Sequence, residues 1–295
     1  SPCASVRNQR FLFILHSHKS STIMHGMRRL LNLKLGIYFL LGSLLVGCAT
    51  TGSDSAQSDA AKLDPLVPRE DVKKFSEQSV NDPLRGWSFY RVAPYKKNTA
   101  YRLENYQGRT VLSARANKSS SGLAVKLKPR PSQHLWLEWE WKALTNLDKA
   151  NNTDRYADDA PLRILVAFDG DQSKLSMKDK MVGELAQIMS GQEMPYATLM
   201  YIWAPNGQLN QIKPNSYTNR IKMIAVDVGK ENLGQWRKHS RDLTADYEAA
   251  YGYAPGNLIG IALLTDTDNT KSDAKAYYGD IELKYKRFNE GKPKN

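Results

Sequence analysis

The stretch that decides the fold is HLWLEWEWKA, residues 134–143. Apolar side chains occupy every second position from Leu135 to Ala143, and Glu138, Glu140 and Lys142 stand between them. Because successive side chains of a β-strand point to opposite faces, this alternation predicts a strand with one buried face and one solvated face. A helix would instead repeat its apolar side chains every three or four positions.

Similar short runs lie on both sides of this strand, and turn residues such as Pro94, Gly108 and Pro205 separate them. They predict further strands at 86–92, 100–103, 110–116, 122–126, 162–169, 197–203, 221–228, 258–265 and 277–285. Many short strands with few helical patterns between them predict a mainly β fold, an antiparallel sandwich or barrel. Within this set, residues 258–264 are apolar almost throughout, which is typical of a central strand covered on both faces.

The last strand and two helices complete the prediction. Strict alternation in the last strand would place Tyr278 with Asp280 on one face and Tyr277 with Ile281 on the other. Apolar residues at helical spacing predict short helices at 178–190 and 243–251. The first carries Met181, Leu185, Ile188 and Met189 on one stripe, Gly191 is its expected C-cap, and Asp242 or Thr244 is the expected N-cap of the second.

A targeting segment precedes this domain. The first plausible start residues are Met24 and Met27, so residues 1–23 are interpreted as an upstream extension. Residues 35–46 are apolar apart from two glycines and a serine, and they follow a cationic stretch. This run is too short to cross a bilayer core of about 30 Å as a helix, and it predicts a signal peptide at 24–47.

The end of that segment resembles the lipobox of bacterial lipoproteins, with Leu45, Val46 and Gly47 before Cys48. It predicts a lipid on Cys48 that anchors the chain in the membrane of a bacterial envelope. Ala49 after the cysteine favours the outer membrane, facing the periplasm. Residues 48–65 are rich in Ser, Ala, Asp and Gly and predict a flexible tether, 66–288 the single domain, and 289–295 a basic tail.

The net charge of +12 does not indicate a nucleic-acid partner. Residues 1–47 contain six Lys and Arg residues and no Asp or Glu, so half of the excess lies in the targeting region. No nucleic-acid-binding motif is evident in the remainder. The chain contains two cysteines, which excludes a disulfide-dense scaffold.

A cluster of acidic and amide side chains follows the central apolar strand, at Asp266, Asp268 and Asn269. Carboxylate and amide oxygens at such spacing are ligands for Ca²⁺, and the same groups bind sugar hydroxyls. Side chains of this kind also cap their own backbone in turns. The sequence leaves the calcium site, the sugar site and the capped turn as alternatives.

Aromatic residues give a second set of candidates. The candidates for a stacking surface are Trp136, Tyr201, Trp203, Tyr217, Trp236, Tyr277 and Tyr278. Buried aromatic residues of the core give the same pattern, and Tyr201 and Trp203 share one strand face. The segment with Asn215, Tyr217 and Arg220 adds polar groups; Arg220 would hold an acidic ligand or pair with a carboxylate of the sheet.

Several of these motifs, in this order and spacing, resemble the DUF3047 domain of bacterial secreted proteins. They are Tyr201-Ile202-Trp203, the segments 215–220 and 264–270, Gly234-Gln235-Trp236, Asp246-Tyr247 and the segment 277–281. The resemblance covers roughly residues 80–285 and implies a jelly-roll sandwich of the galactose-binding or lectin-like kind. It implies no activity, and a likeness of fold alone does not give a function.

Three hypotheses of function follow. The first is an envelope-anchored lipoprotein that binds a glycan or another envelope polymer, with ligand candidates that include Tyr278 and Asp280 besides the residues above. The second is a polysaccharide hydrolase that uses a pair chosen from Glu138, Glu140, Asp266, Asp268 and Asp280. The third is a structural or assembly protein that binds a protein partner. Patterns for a serine-hydrolase elbow, a zinc protease or a phosphate-binding loop are absent from the sequence.

Overall fold

A computed structural model describes residues 63–286 of the chain. Within them, twelve strands and two α-helices occur in an order dominated by strands. The strands are β1 Ser88–Arg91, β2 Ala100–Tyr106, β3 Arg109–Asn117, β4 Ser120–Arg130, β5 Leu135–Ala143, β6 Ala160–Phe168, β7 Ala197–Ala204, β8 Ile212–Pro214, β9 Ile221–Val228, β10 Arg237–Asp242, β11 Leu258–Asp266 and β12 Asp273–Tyr285. The helices are α1 Met177–Ser190 and α2 Leu243–Tyr251.

The strands form two sheets that pack as a sandwich. The larger sheet has seven strands in the order β1-β4-β11-β6-β7-β9-β8, and the smaller has five in the order β10-β5-β12-β3-β2. All neighbouring strands are antiparallel except β7 and β9, which are parallel. The predicted antiparallel β-sandwich is therefore confirmed, and β11, the apolar run at 258–264, lies between β4 and β6 as expected of a central strand.

The core lies between the two sheets. From the smaller sheet, β5 contributes Trp139 and Trp141, and from the larger sheet β7 contributes Tyr201 and Trp203, all of them buried. The Trp139 ring lies 5.0 Å from that of Tyr201 and 5.5 Å from that of Trp141, measured between centroids. Fully burying one large apolar side chain stabilises the fold by about 1.5–3 kcal/mol, so these rings are a principal contact between the sheets.

One expectation within the sheets was wrong. Strict alternation would have put Tyr278 and Ile281 on opposite faces of β12, but both face the core. The register of β12 against β5 shifts between these two residues, which is a β-bulge. Gly279 lies in the bulge, where an added Cβ would meet the Glu140 side chain at 2.5 Å.

Both helices were predicted, with their caps. Gly191 ends α1 in the left-handed conformation, with φ at 75°, and Asp242 accepts hydrogen bonds from the first amides of α2. The apolar stripe of α1 is unusual because it faces solvent: Met181 is 65% exposed and Ile188 78%. Within residues 63–286, neither helix is long and apolar enough to cross a membrane. The upstream extension, the signal peptide, Cys48, most of the tether and the basic tail lie outside the described residues.

Candidate functional site

Two clefts of the domain lie beside α1 and its connection to β7. Arg220, at the start of β9, fixes that connection. Its guanidinium group donates hydrogen bonds to the backbone carbonyls of Asp179, Met194, Pro195 and Tyr196. Since a buried guanidinium needs partners for its donors, these four carbonyls hold α1 and the connection in one place.

A glycine allows this close approach. A Cβ at Gly183 of α1 would lie 2.7 Å from Nη1 of Arg220, so a larger residue there would displace the guanidinium group. Burial lowers the pKa of Arg220 from its usual value, although nearby carboxylates act against that shift. An arginine remains charged under any physiological condition, so Arg220 keeps a positive charge between β9 and α1.

Beside Arg220 lies a cleft of about 440 Å³, here called the tyrosine cleft. Its aromatic lining comes from three separate places: Tyr196 precedes β7, Tyr251 is the last residue of α2, and Tyr253 follows that helix. Its polar lining consists of Lys174, Ser176, Asp179, Asn219, Arg220 and Lys222. The cleft thus combines flat aromatic surface with hydrogen-bonding and cationic groups.

The structure orients the three tyrosines in different ways. The hydroxyl of Tyr251 donates to backbone carbonyls of the sheet, 2.7 Å from Arg220 O and 2.8 Å from Thr198 O. Its ring lies 6.0 Å from the ring of Tyr253, which is 47% exposed. The third tyrosine, Tyr196, has a raised pKa. A hydrogen bond with the Tyr253 hydroxyl is the larger cause, and burial is the second. Tyr251 is therefore fixed by the sheet, and Tyr253 lines the cleft with about half of its surface exposed.

A second cavity of about 630 Å³, here called the sheet cleft, shares Tyr196 with the first. Its floor is the outer face of the central strands, where the side chains are small: Ala124, Ala167 and Ala262, with Gly260 among them. Cross-strand neighbours such as Ala124 and Ala262 stand side by side in this floor. Small residues leave the space that larger ones would fill, so the cleft follows from the strand sequences.

At the far end of the same sheet face, charged side chains are buried together. Arg163 of β6 is 2% exposed, and it donates to Asp266 Oδ1 and to Asp158 Oδ1, each at 2.9 Å. Asp266 also accepts from the Ala160 amide, at 3.1 Å. Burial raises the pKa of Asp266 to about 7, and the charge of Arg163 opposes this rise. The guanidinium group is the main counter-charge of this cluster.

A candidate cation site adjoins Arg163. Carboxylate oxygens of Asp159, Asp266 and Asp268 lie within 4.8 Å of one another. Asp268 also pairs with Lys96 at 2.7 Å, and Asp159 accepts hydrogen bonds from the amides of Asn269 and Thr270. Hard oxygen ligands of this kind suit Ca²⁺ chemically, but internal cations and amides already satisfy several of these oxygens.

Comparison with known families identifies the domain. Residues 85–282 match the family described as "Protein of unknown function (DUF3047)". The chain belongs to the DUF3047 family. That span contains every motif on which the resemblance rested. No curated protein matches the sequence.

Solved structures similar to this DUF3047 domain are distant in sequence. An exo-beta-agarase is 13% identical with a TM-score of 0.31, covering 74% of this chain and 25% of its own. A structure titled "CBM4 structure and function" is 12% identical with a TM-score of 0.29, covering 68% of this chain and 95% of its own. A cyclase from Fischerella sp. TAU is 11% identical with a TM-score of 0.31, covering 73% and 97% respectively. The chain thus corresponds to about a quarter of the agarase.

The DUF3047 domain brings five of the predicted site residues to one end of the larger sheet. Asp266, Asp268 and Asn269 lie at or after the end of β11, and Asn215 donates to Asp158 at 3.3 Å. Tyr217 is 51% exposed, and its hydroxyl donates to the Arg155 carbonyl, as does the Asn269 side chain. Of the three residues predicted for calcium, Asp266 and Asp268 lie together with Asp159, and the side-chain amide of Asn269 donates to the backbone.

The other predicted residues are elsewhere. Tyr201 and Trp203 belong to the core, where Tyr201 donates to Asp246 at 2.7 Å. Tyr278 is also buried, with its hydroxyl 2.9 Å from Leu264 O. Asp280, in the β12 bulge, accepts from the amide and hydroxyl of Ser76. Of the ten predicted ligand-binding residues, Arg220 is the one that lines the tyrosine cleft.

The carboxylates considered for hydrolysis do not meet in either cleft. Glu138 pairs with Lys284 and Lys286, and Glu140 pairs with Arg109. Of the remaining three, Asp266 pairs with Arg163, Asp268 pairs with Lys96, and Asp280 accepts from Ser76. None of the five lines the tyrosine cleft or the sheet cleft.

Sequence reasoning missed the three cleft tyrosines of the DUF3047 domain. Tyr251 was assigned to the apolar side of α2, and Tyr196 and Tyr253 lie in connections without a clear period. The sequence contains one local signal: in Tyr251-Gly252-Tyr253, two tyrosines flank the glycine that ends α2. Such a pair does not show which other residues it will face.

Proposed function

We propose that this protein is a lipid-anchored protein of the bacterial envelope whose sandwich binds a glycan in the tyrosine cleft. The observation that carries the proposal is the convergence of Tyr196, Tyr251 and Tyr253 on one concave surface with amide, hydroxyl and cationic groups. The cleft volume of about 440 Å³ lies within the range of about 300–1,000 Å³ common to ligand sites.

The chemistry of sugars explains why this lining suits them. A sugar ring has an apolar face of C–H groups, which packs on an aromatic ring, and an edge of hydroxyl groups that need hydrogen-bond partners. Tyrosine provides both a rigid apolar face and a polar hydroxyl at a small cost in conformational entropy. Ser176 and Asn219 add groups that both donate and accept.

The anchor is the second part of the proposal, and it rests on the sequence. Residues 45–48 resemble a lipobox, and residues 49–62 separate Cys48 from the described domain. A polar segment rich in small residues behaves as a flexible chain. The lipid on Cys48 would hold the protein at the outer membrane, and the tether would leave the cleft free to meet envelope polymers.

Calorimetric titration of the full chain with a panel of envelope oligosaccharides tests glycan binding. In Tyr253→Ala the exposed ring is removed, and we expect the affinity for the bound oligosaccharide to fall at least about tenfold, as for a central aromatic contact. Tyr95→Ala is the matched control, because Tyr95 is 76% exposed and lies outside both clefts. Absence of binding by any oligosaccharide, or equal losses in the two variants, would contradict the proposal.

Metabolic labelling with a palmitate analogue in a bacterial host tests the anchor separately. The wild-type chain should carry the label and fractionate with membranes. Cys48→Ser should lose both properties, whereas Cys3→Ser should keep them, since Cys3 lies upstream of both start residues. If Cys48→Ser keeps the label, the lipid is attached to another residue, and this part of the proposal is contradicted.

A further inference from the structure

We infer that the glycan bound in the tyrosine cleft carries an anionic group, a carboxylate or a phosphate. This inference rests on the proposed function and specifies its substrate class. Its basis is the charge of the lining: three cations, Lys174, Arg220 and Lys222, face one carboxylate, Asp179. The three cations come from two separate segments of the chain, Lys174 before α1 and Arg220 with Lys222 at the start of β9, so their convergence is a property of the fold.

The single carboxylate is already engaged by its own surroundings. Asp179 accepts from the Ser176 hydroxyl at 2.6 Å and from the Thr218 hydroxyl at 3.1 Å. Ser176 is the N-cap of α1, and its hydroxyl in turn accepts from the Asp179 backbone amide. No ion pair within 4.0 Å joins Asp179 to a lysine or arginine among residues 63–286. Asp179 acts on Arg220 at longer range, but it forms no ion pair with Lys174 or Lys222.

Lys222 is the cation best placed to meet a ligand. It is the second residue of β9, it is partly buried, and its Nζ lies 5.8 Å from the centroid of the Tyr251 ring. Among residues 63–286 no carboxylate lies within 4.0 Å of that nitrogen, whereas Lys284 and Lys286 both lie within this distance of Glu138. An ammonium group held between an aromatic face and an open cleft attracts an anion.

The other two cations have different roles. Arg220 uses its guanidinium group to bind backbone carbonyls, so it contributes positive charge and holds the connection before β7, but it has no free fork for a bidentate contact. Lys174 is 74% exposed at the rim, and Asp171 is its nearest carboxylate at 3.9 Å. A lysine acts as a point charge, so this lining accepts a carboxylate and a phosphate alike.

Titration with three oligosaccharides of one length tests the inference on the full chain. The probes are a neutral galactose oligomer, a galacturonic acid oligomer, whose sugars differ in the C6 carboxylate, and a galactose oligomer that bears phosphate. We expect one or both charged oligomers to bind at least about tenfold more tightly than the neutral one, and the preference to shrink between about 50 and 200 mM salt. The two charged arms distinguish carboxylate from phosphate.

The double variant Lys174→Gln/Lys222→Gln locates the effect. It should abolish the preference, so that neutral and charged oligomers bind with equal affinity, whereas Lys149→Gln, an exposed lysine away from both clefts, should keep the preference of the wild-type chain. Equal binding of neutral and charged oligomers, or a preference that survives in the double variant, overturns the inference and leaves the proposed function standing. If no oligomer of the three nor of the wider panel binds, the proposed function fails and the inference fails with it.

Discussion

The outer faces of the two sheets carry the same kind of interaction in opposite settings. On the five-stranded sheet, Glu138 pairs with Lys284 and Lys286 at 2.6 and 2.7 Å, and these side chains are between a quarter and a half exposed. On the seven-stranded sheet, Arg163 pairs with Asp158 and Asp266 under a cover of loops, and all three are nearly inaccessible to water. Distance alone does not distinguish the two clusters, but exposure does.

This difference determines what each cluster does for the fold. Water screens the exposed pairs, and such pairs contribute about 0–1 kcal/mol. A buried pair is costly to desolvate, so it adds little stability in total. Removing one partner, however, leaves the other charge buried without a counter-charge, which is strongly destabilising. The outer face of the five-stranded sheet, here called the open face, is therefore tolerant of change. The outer face of the seven-stranded sheet, here called the covered face, also holds the sheet cleft and depends on each of its charged groups.

The largest effect should follow removal of the buried cation. Arg163→Met leaves Asp158 and Asp266 buried without their counter-charge, and we expect the free energy of unfolding to fall by about 3–5 kcal/mol. Urea denaturation followed by tryptophan fluorescence measures this change. Arg109→Met is the matched control on the open face, where Arg109 pairs with Glu140 and is 38% exposed, and it should cost less than about 1 kcal/mol.

The double variant Arg163→Met/Asp266→Asn sharpens this result. Since it removes one of the stranded carboxylates as well, it should recover part of the loss. If Arg163→Met costs no more than Arg109→Met, burial does not distinguish the two faces, and the comparison fails.

The same contrast explains what the sequence revealed. On the open face, charged side chains alternate with core side chains, so β5 can be recognised from its letters alone. The short strand β8 contains a proline, and β10 reads RKHSRD with no apolar residue, so neither carries such a signal. They are strands because of their neighbours: β10 pairs with β5, and β8 pairs with β9.

The candidate site was less accessible to sequence reasoning for a similar reason. Arg220 was predicted to hold an acidic ligand or to pair with a carboxylate of the sheet, but its partners are carbonyls of a connection about 25 residues earlier and of α1. Tyr196 and Tyr251 are distant in sequence and meet only because α2 packs beside β7. Long-range packing assembles the site, and single-chain periodicity reports only local geometry.

An intermediate effect should appear in the pH dependence of stability. Burial raises the pKa of Asp266 to about 7, whereas an aspartate in an unfolded chain titrates near 3.9. Between these values the native state holds a proton that the unfolded state has lost, so the free energy of unfolding falls as pH rises from about 4 to about 7. The slope cannot exceed about 1.4 kcal/mol per pH unit for one proton.

Asp266→Asn should remove that slope, because asparagine does not titrate. Denaturation curves of the wild-type chain and the variant between pH 4 and 7 provide the measurement. Parallel curves for the two proteins would mean that Asp266 titrates at its ordinary pKa within the Arg163 cluster, and the covered face would then be no different from the open face in this respect.

The smallest effect is expected on the open face, and it has the opposite sign with pH. Hydrogen bonds from Lys284 and then Lys286 lower the pKa of Glu138 to about 2. A lowered pKa contributes stability above the unfolded value, near 4.3, and that contribution is lost as pH falls towards 2. Because Glu138 is 26% exposed and both lysines are more so, screening leaves only about 0.5 kcal/mol at neutral pH.

Glu138→Gln should therefore destabilise the domain by about 0.5 kcal/mol at pH 7, and the difference from the wild type should vanish near pH 2 and in about 1 M salt. Thermal unfolding of both proteins under these three conditions measures it. A loss above about 1.5 kcal/mol that salt does not reduce would show that Glu138 behaves as a buried charge does. The position of a carboxylate on one face or the other would then no longer predict its energetic role, because the property that separates the two faces is access of water to the pair.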